Sequence, residues 1–529
     1  MTKLKTITLI AMVFTFATTM EGKEAYAVFS SSTLTFYYDD IRSTRGGTSY
    51  NIAWDSQSYP LWYEKNASIR TVTFDSSFID FHPQNGSQWF CDMSRLTVIN
   101  NIQYLNTDEM TSMHAMFDGC NTLPSLNLSH FNTAKVRNMA YMFSDCKKLT
   151  TLDVSAFNTS LVTSMFAMFY GCNNLKTLTL GEFDTSRVTT MNGMFYNCRS
   201  LESLQFGPSA TPMLTNMGWA FCGCSKLKTL DFGGLTTSLV TDMQSLFNQC
   251  GLLQALHLDN WDTSSVTEMS AMFAGCEKLE ELDIRHWNTA SATTMERMFM
   301  DCSSLRTLDV SEFDTHSVIS MARMFNGCKS LTSIDVSGFN MEKMEDISSL
   351  FSGCYSLQSI DVSQWDTSKI TSVDWAFGGC SSLASLDLTG WDVSQSSSYY
   401  LLNNCSGLQE LTISNGLAAL SPHSCIGVGT SIHPCTILAP GDFDFGTDTS
   451  ANSYFKWSMG FFRLPGSFPR GDVNNDGQVT ITDVTITTDY ILGNVQPEFH
   501  FGFANVNEDE FVTITDVTGI VNIILGITP

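Results

Sequence analysis

Apolar positions along this chain return on a fixed beat. Cysteines stand at 120, 146, 172, 198, 224, 250, 276, 302, 328, 354 and 380, each 26 residues after the last, and Cys405 follows after 25. Three residues after each of these twelve cysteines is a leucine, from Leu123 to Leu408. Three further on comes leucine again, with Ile334 and Ile360 the only changes. Three residues before each cysteine from 120 to 380 is a phenylalanine, from Phe117 to Phe377. A period of this size marks a stacked or radial repeat, whose single units cannot bury their apolar stripe alone.

One unit can be read from Cys146. The alternation Leu152-Asp153-Val154 predicts a short strand with one buried face. Phe157 follows at a corner that Trp261, Trp287, Trp365 and Trp391 fill in other units. Asn158-Thr159-Ser160 has helix-capping chemistry. Val162, Met165, Met168, Phe169 and Cys172 then follow at helical spacing. The methionine ladder from Met113 to Met321 reads as adaptable core filling rather than as metal ligands. A strand and a helical segment per repeat predict an α/β leucine-rich-repeat solenoid.

The wording of the units carries a resemblance. Trp261-Asp262-Thr263-Ser264 through Ile284 is similar to the bacterial surface repeat D-T-S-x-V-T-x-M-x-x-M-F-x-G-C-x-x-L-x-x-L-D-V-S. The chain resembles the BspA-like leucine-rich-repeat proteins and the related Mycoplasma-type lipoprotein repeats over residues 89–414. That resemblance implies a β-rich N-terminal cap over residues 28–88, and a surface role in adhesion or co-aggregation. Met93 stands where a ladder cysteine is due, while Ser209, Leu235 and the stretch near Ile347 depart from the pattern.

The two ends differ from the ladder. Lys3 and Lys5, an apolar stretch from Ile7 to about Ala17, and Ala25-Tyr26-Ala27 have the layout of a secretory signal peptide over residues 1–27. Beyond the ladder, residues 415–469 read as a small β cap and linker. Cys425 and Cys435 lie within it, as two thiols or, in an exported protein, as a disulfide. The ladder cysteines read as buried and reduced, on the expectation that helices of neighbouring rungs sit roughly 8–10 Å apart, too far for disulfides.

Residues 470–529 carry the sharpest chemistry. From Gly471 onwards there are nine Asp or Glu and no Lys or Arg. Asp472, Asn474, Asp476 and Asp483 supply side-chain oxygens at loop positions 1, 3, 5 and 12, with Gly477 at 6, the Gln478 carbonyl at 7 and Thr480 at 9. This is the hard, all-oxygen set that Ca²⁺ prefers. Val479–Thr485 recurs unchanged as Val512–Thr518, and a second loop offers Asn505, Asn507, Asp509, the Phe511 carbonyl, Thr513 and Asp516. Asn505 loses one charge and Glu510 stands where glycine favours the turn, so the second site should be the weaker. Two such loop-plus-helix units resemble a type I dockerin, a small all-α calcium-binding module. The resemblance implies a cohesin partner, selected partly by positions 10 and 11, here Ile481-Thr482 and Ile514-Thr515.

Composition narrows the function. A net charge of -25 argues against nucleic acid, whose phosphates demand a basic face. No segment is apolar and long enough to read as a membrane span. No unique constellation of nucleophile, base or paired carboxylates stands out, so the chain does not read as an enzyme. On the predicted strands, Asp283, Asp309, Asp335, Asp361 and Asp387 fall on consecutive rungs and form a file of like charges, the candidate ligand face. Either Ser and Thr neighbours compensate the file locally, or it attracts a cation or a basic partner. The reading is an exported bacterial surface protein whose solenoid binds an extracellular protein or glycan. The alternative is a non-catalytic subunit of a cohesin–dockerin complex.

Overall fold

A computed structural model describes residues 22–52, 59–430, 434–441, 443–445, 455–464, 471–474, 478–494, 504, 506 and 512–525. The chain forms two compact units, one of Met1–Leu214 with Asp231–Leu235, the other of Thr215–Leu230 with Thr236–Pro529.

The first unit opens with a five-stranded sheet of β1 (Glu24–Ser30), β2 (Thr33–Asp39), β3 (Thr48–Asn51), β4 (Thr71–Phe74) and β5 (Val98–Asn100). Their order is β3-β1-β2-β4-β5. The hairpin β1–β2 is antiparallel, but β2–β4 and β4–β5 are parallel, so the cap hands its sheet to the stack in the stack's own direction. Phe36 sits at its centre, stacked on Phe74 at 4.8 Å and on Trp89 at 5.4 Å. Ala25-Tyr26-Ala27 lies inside β1, and Tyr26 and Ala27 are fully buried. The expected cleavage after Ala27 would fall inside this strand, between Ala27 and Val28.

Repeats in both units stack in register. Thr151–Asp153 pairs in parallel with Thr177–Thr179, each residue opposite its equivalent one repeat later. Leu152 and Val154 point inward while Thr151 and Asp153 face solvent, as the alternation requires. Phe157 closes the corner with its amide on the Val154 carbonyl at 2.9 Å. On the far side the amides of Met139, Tyr141, Phe143 and Asp145 donate to the carbonyls of Ser164, Phe166, Met168 and Tyr170 in the next rung.

That ladder overturns the predicted helix. Residues 162–172 form a series of turns, not an α-helix. Each rung places two residues in the left-handed region, such as Tyr141 at φ 59° and Asp145 at φ 53°, which interrupts any right-handed helix. Spacing gives the deeper reason. Phe rings stack 5.2–5.7 Å apart from Phe90 to Phe195 in the first unit and 5.4–5.7 Å apart from Phe221 to Phe377 in the second. An α-helix needs about 8–10 Å to its neighbour, and this pitch leaves no room for one. The repeats of each unit are therefore a β-solenoid.

The other ladders follow from the same pitch. Asn158-Thr159-Ser160 caps no helix: buried Thr159 donates through Oγ1 to the Asp184 carbonyl of the next rung at 2.9 Å, as Thr133, Thr263 and Thr289 do in theirs. The methionines from Met113 to Met321 are buried beside the phenylalanines.

Ladder cysteines are buried free thiols, although helix spacing is not the cause. In-register Cβ atoms lie about 4.8 Å apart, beyond the roughly 3.5–4.5 Å that a disulfide spans. Each Sγ instead points at the Phe carbonyl of the preceding rung, as in Cys146 to Phe117 and Cys302 to Phe273, both 3.2 Å. Burial pushes the Cys146 and Cys302 thiols well above their usual range and that of Cys276 up to about 12.

The second unit ends on parallel strands Ser385–Leu388, Glu410–Ile413, Cys435–Leu438 and Gly460–Arg463, with Phe455–Trp457 antiparallel at the edge. Cys425 and Cys435, the candidate pair, are both buried and are not bridged here. Leu402 and Asn404 donate to the carbonyls of Ser424 and Ile426, which sets Cys425 in the phenylalanine column rather than in the cysteine column. Cys435 lies on a strand, its Sγ 3.6 Å from the Thr436 carbonyl.

Truncating one ring of the column tests this packing. Phe273 is fully buried between Phe247 and Phe299. Phe273→Ala should cost about 3–5 kcal/mol, read as a lowered denaturant midpoint of the full chain. A midpoint unchanged from wild type would contradict the stacked column.

Candidate functional site

Two features of the second unit carry the sequence-predicted chemistry. The first is the carboxylate file. Asp283, Asp309, Asp335, Asp361 and Asp387 are all exposed, at equivalent positions of successive rungs. Each is held by its own turn. Asp309 Oδ1 accepts from the Ser311 amide at 3.1 Å and hydroxyl at 2.7 Å, and Asp335 with Ser337 and Asp361 with Ser363 repeat the pattern. Asp387 accepts from the Thr389 amide at 2.9 Å. Asp283 pairs with Arg285, whose terminal nitrogen lies 2.8 Å from Oδ2.

These bonds set the electrostatics. The Ser311, Ser337 and Ser363 hydroxyls, and then their amides, hold Asp309, Asp335 and Asp361 below the ordinary carboxylate range. Arg285 holds Asp283 down at about 2. Repulsion from Asp335 is the smallest influence on Asp309 and Asp361. Local compensation thus accounts for the file, and its geometry favours a turn-building role over a cation site.

The second feature is the C-terminal helix pair, α1 (Ile481–Ile491) and α2 (Ile514–Ile524). Both begin in capping boxes, Thr480 with Asp483 and Thr513 with Asp516. Val473, Ile486, Ala504 and Ile520 form the core between them, with Val479, Val484, Val506 and Val512 packed against it. Asp483 ties the loop to the helix. Its Oδ1 accepts from the amides of Val473 and Asn474 at 2.7 and 3.1 Å, and its Oδ2 from the Thr480 amide at 2.8 Å. Asp472, Asp483 and Asp516 are fully buried.

The donor set suits a hard cation. Asp472 and Asp483 bring buried carboxylates to the two ends of one short loop, and carboxylate oxygens that already accept amides retain lone pairs for a metal. Asn474, Gln478 and Thr480 are described residues flanking 475–477, whereas Asp476, Asn505, Asn507, Asp509 and Phe511 lie outside the described residues. Thr513 and Asp516 hold the start of α2, with the Thr513 amide on Asp516 Oδ2 at 2.8 Å. Among the described residues no group of three or more His, Cys, Asp or Glu converges as a metal site, at this loop or elsewhere.

Comparison with known families decides the assignment. The family described as "Mycoplasma protein of unknown function, DUF285" matches residues 84–205, 215–333 and 320–411, more than half of the chain. This chain belongs to that family. A type I dockerin domain matches residues 470–525, so the chain joins DUF285 repeats to a dockerin. Both families are interaction modules.

Among solved structures, a leucine-rich repeat protein from Bacteroides ovatus ATCC 8483 is 15% identical with a TM-score of 0.41, covering 78% of this chain and 92% of that one. One from Eubacterium ventriosum ATCC 27560 is 15% identical with a TM-score of 0.32, covering 80% and 92%. A leucine-rich cell surface protein from Faecalibacterium prausnitzii A2-165 has the same identity and TM-score, covering 80% and 94%. These are distant likenesses, and the assignment rests on the family models. Among curated proteins the comparison finds no match. Among the described residues no helix is long and apolar enough to cross a membrane.

Sequence reasoning missed one group of side chains. Tyr355, Trp375 and Tyr399 are exposed large aromatics on consecutive rungs of the second unit, away from the ladder positions. The signal for them was a break in the glycine pattern at Gly353.

The file predicts a pH dependence. A carboxylate whose folded pKa is depressed stabilises the fold above its unfolded pKa, near 4, and loses that contribution as pH falls through the folded value. A variant with Asn at 283, 309, 335 and 361 should melt below wild type at pH 6. The gap should narrow between about pH 4 and pH 2, because the Asp283 value is about 2. A gap that is constant across that window would show that the turns do not depend on ionised Asp.

Proposed function

We propose that this is an exported bacterial surface binding protein whose repeats recognise a host or microbial macromolecule, and whose tail binds calcium and docks to a partner. One observation carries the reading: a single chain joins DUF285 repeats to a type I dockerin. Repeat stacks offer long regular surfaces for recognition, and a dockerin offers attachment.

The dockerin match also favours a second reading, a non-catalytic subunit of a cohesin–dockerin extracellular complex, with the repeats as its binding module. Ile481 is 70% exposed and Ile514 65%, each followed by an exposed threonine. Equivalent exposed residues on α1 and α2 are what docking in either of two orientations requires. A cohesin-library pull-down run beside a matrix-protein and glycan array separates the two readings. Capture by cohesin supports the second, and capture on the array without cohesin supports the first.

Calcium in this reading is held by two unequal loops. Asp472, Asn474, Asp476, the Gln478 carbonyl, Thr480 and Asp483 hold the tighter ion; Asn505, Asn507, Asp509, the Phe511 carbonyl, Thr513 and Asp516 hold the weaker. Bound calcium would neutralise buried carboxylates and couple their free energy to folding of the helix pair. Calorimetry on the chelator-stripped full chain should show two sites of different affinity, with Asp472→Asn weakening only the tighter. Two equal sites, or no heat of binding, would refute this assignment.

A further inference from the structure

At the second left-handed position of each rung, glycine alternates with a longer polar residue. Asp145 precedes Gly171, Gln249 precedes Gly275 and Asp301 precedes Gly327. In each pair the polar side chain lies where a Cβ on the following glycine would collide with it. Gly353 breaks the alternation, so Gly327, Gly353 and Gly379 follow one another.

The Tyr355 ring occupies the space that this break opens, and Trp375 lies beside the adjacent Gly378. Tyr355 Cε1 would lie 3.3 Å from a Cβ on Gly379, and its hydroxyl 4.0 Å from one on Gly353. Trp375 Cε3 would lie 2.7 Å from a Cβ on Gly378. Two rings from neighbouring rungs thus rest against a floor of glycines, yet Tyr355 stays 50% exposed and Trp375 39%. Tyr399, one rung on, is 48% exposed, and the adjacent Tyr400 stacks on Trp375 at 4.7 Å. Among the described residues from Ser320 to Ser458, these three aromatics are the exposed large apolar side chains.

We propose that Tyr355, Trp375 and Tyr399 form a platform that binds an uncharged polysaccharide. The inference rests on the reading that the repeats carry the ligand site, and it names that site and its ligand class. A pyranose ring has an apolar C–H face and a rim of hydroxyls. The aromatic rings match the face. Part-exposed Ser349, Ser352 and Ser372 match the rim, together with Asp374, whose Oδ1 is fixed by the Ser397 hydroxyl and the Tyr399 amide, both at 2.6 Å. A protein hot spot would instead centre on a contiguous, desolvated apolar patch, and no exposed aliphatic side chain joins these rings. Asp374 and a net charge of -25 disfavour an anionic glycan.

Native affinity electrophoresis of the full chain tests this, in gels containing hydroxyethylcellulose, xylan or galactomannan, with alginate as the anionic polysaccharide. A proline-rich peptide followed by tryptophan fluorescence represents a protein-type occupant. At least one neutral polysaccharide should retard the wild type. Trp375→Ala and Tyr355→Ala should each weaken that interaction by about tenfold, while exposed Tyr170→Ala in the other unit should not. Gly353→Asp restores the alternation and should weaken binding as Tyr355→Ala does, with the ring still present. Asp already occupies this backbone conformation at Asp145 and Asp301, so the variant should fold, and melting curves verify each protein.

The platform is overturned if no neutral polysaccharide retards the wild type, if the aromatic variants bind as it does, or if these rings bind the peptide or alginate instead. Wild-type capture on a matrix-protein array, unaffected by Trp375→Ala, would leave the wider binding role standing while removing this site.

Discussion

Alternate amides on the turn side of a rung find their acceptors in the next rung rather than in their own. The amides of Met139, Tyr141, Phe143 and Asp145 all donate sideways. A buried backbone donor left unpaired costs about 1–3 kcal/mol, so rungs must stand in register at the spacing of paired strands. Most other features follow from that one pitch. Like stacks on like: phenylalanine on phenylalanine, threonine hydroxyl on the next carbonyl, thiol on the preceding one. The pitch also excludes the α-helix that the apolar spacing seemed to announce. Stacks of this kind need ends, and the N-terminal sheet changes from antiparallel to parallel pairing just where the rungs begin.

Period and strand were legible in the sequence because every rung repeats the same buried side chains. Leu152, Phe157, Phe169 and Cys172 are all core residues, as their spacing implied. The turn side was misread for a physical reason: Val162, Met165, Phe169 and Cys172 fit a helical stripe, but the sideways bonds and two left-handed residues per rung are invisible to periodicity. The same mistake supplied a wrong reason for free thiols, since these rungs lie closer than helices could. The candidate cation loop carried the clearest site pattern, since calcium ligation calls for fixed residue types at fixed offsets whatever the surrounding packing.

A strict repeat hides function in its regularity and shows it in its departures. Carboxylates from Asp283 to Asp387 recur on every rung and are absorbed by the turns that carry them. Gly353 occurs out of turn, and the exposed ring of Tyr355 lies beside it. Asp472 and Asp483 lie beyond the repeats and are fully buried, Asp483 with its oxygens on the amides of Val473, Asn474 and Thr480. Recognition by one part of the chain and attachment by another is the division of labour these departures support.

In-register stacking without covalent links between rungs is the central claim, and thiol accounting tests it most directly. The full chain is alkylated with iodoacetamide under non-reducing conditions, native or in denaturant, and weighed intact. The account predicts that the buried ladder thiols resist alkylation in the native protein and that all 16 cysteines react once it is unfolded. Pairs of cysteines that stay unmodified in denaturant until a reductant is added would show disulfides between rungs and contradict it.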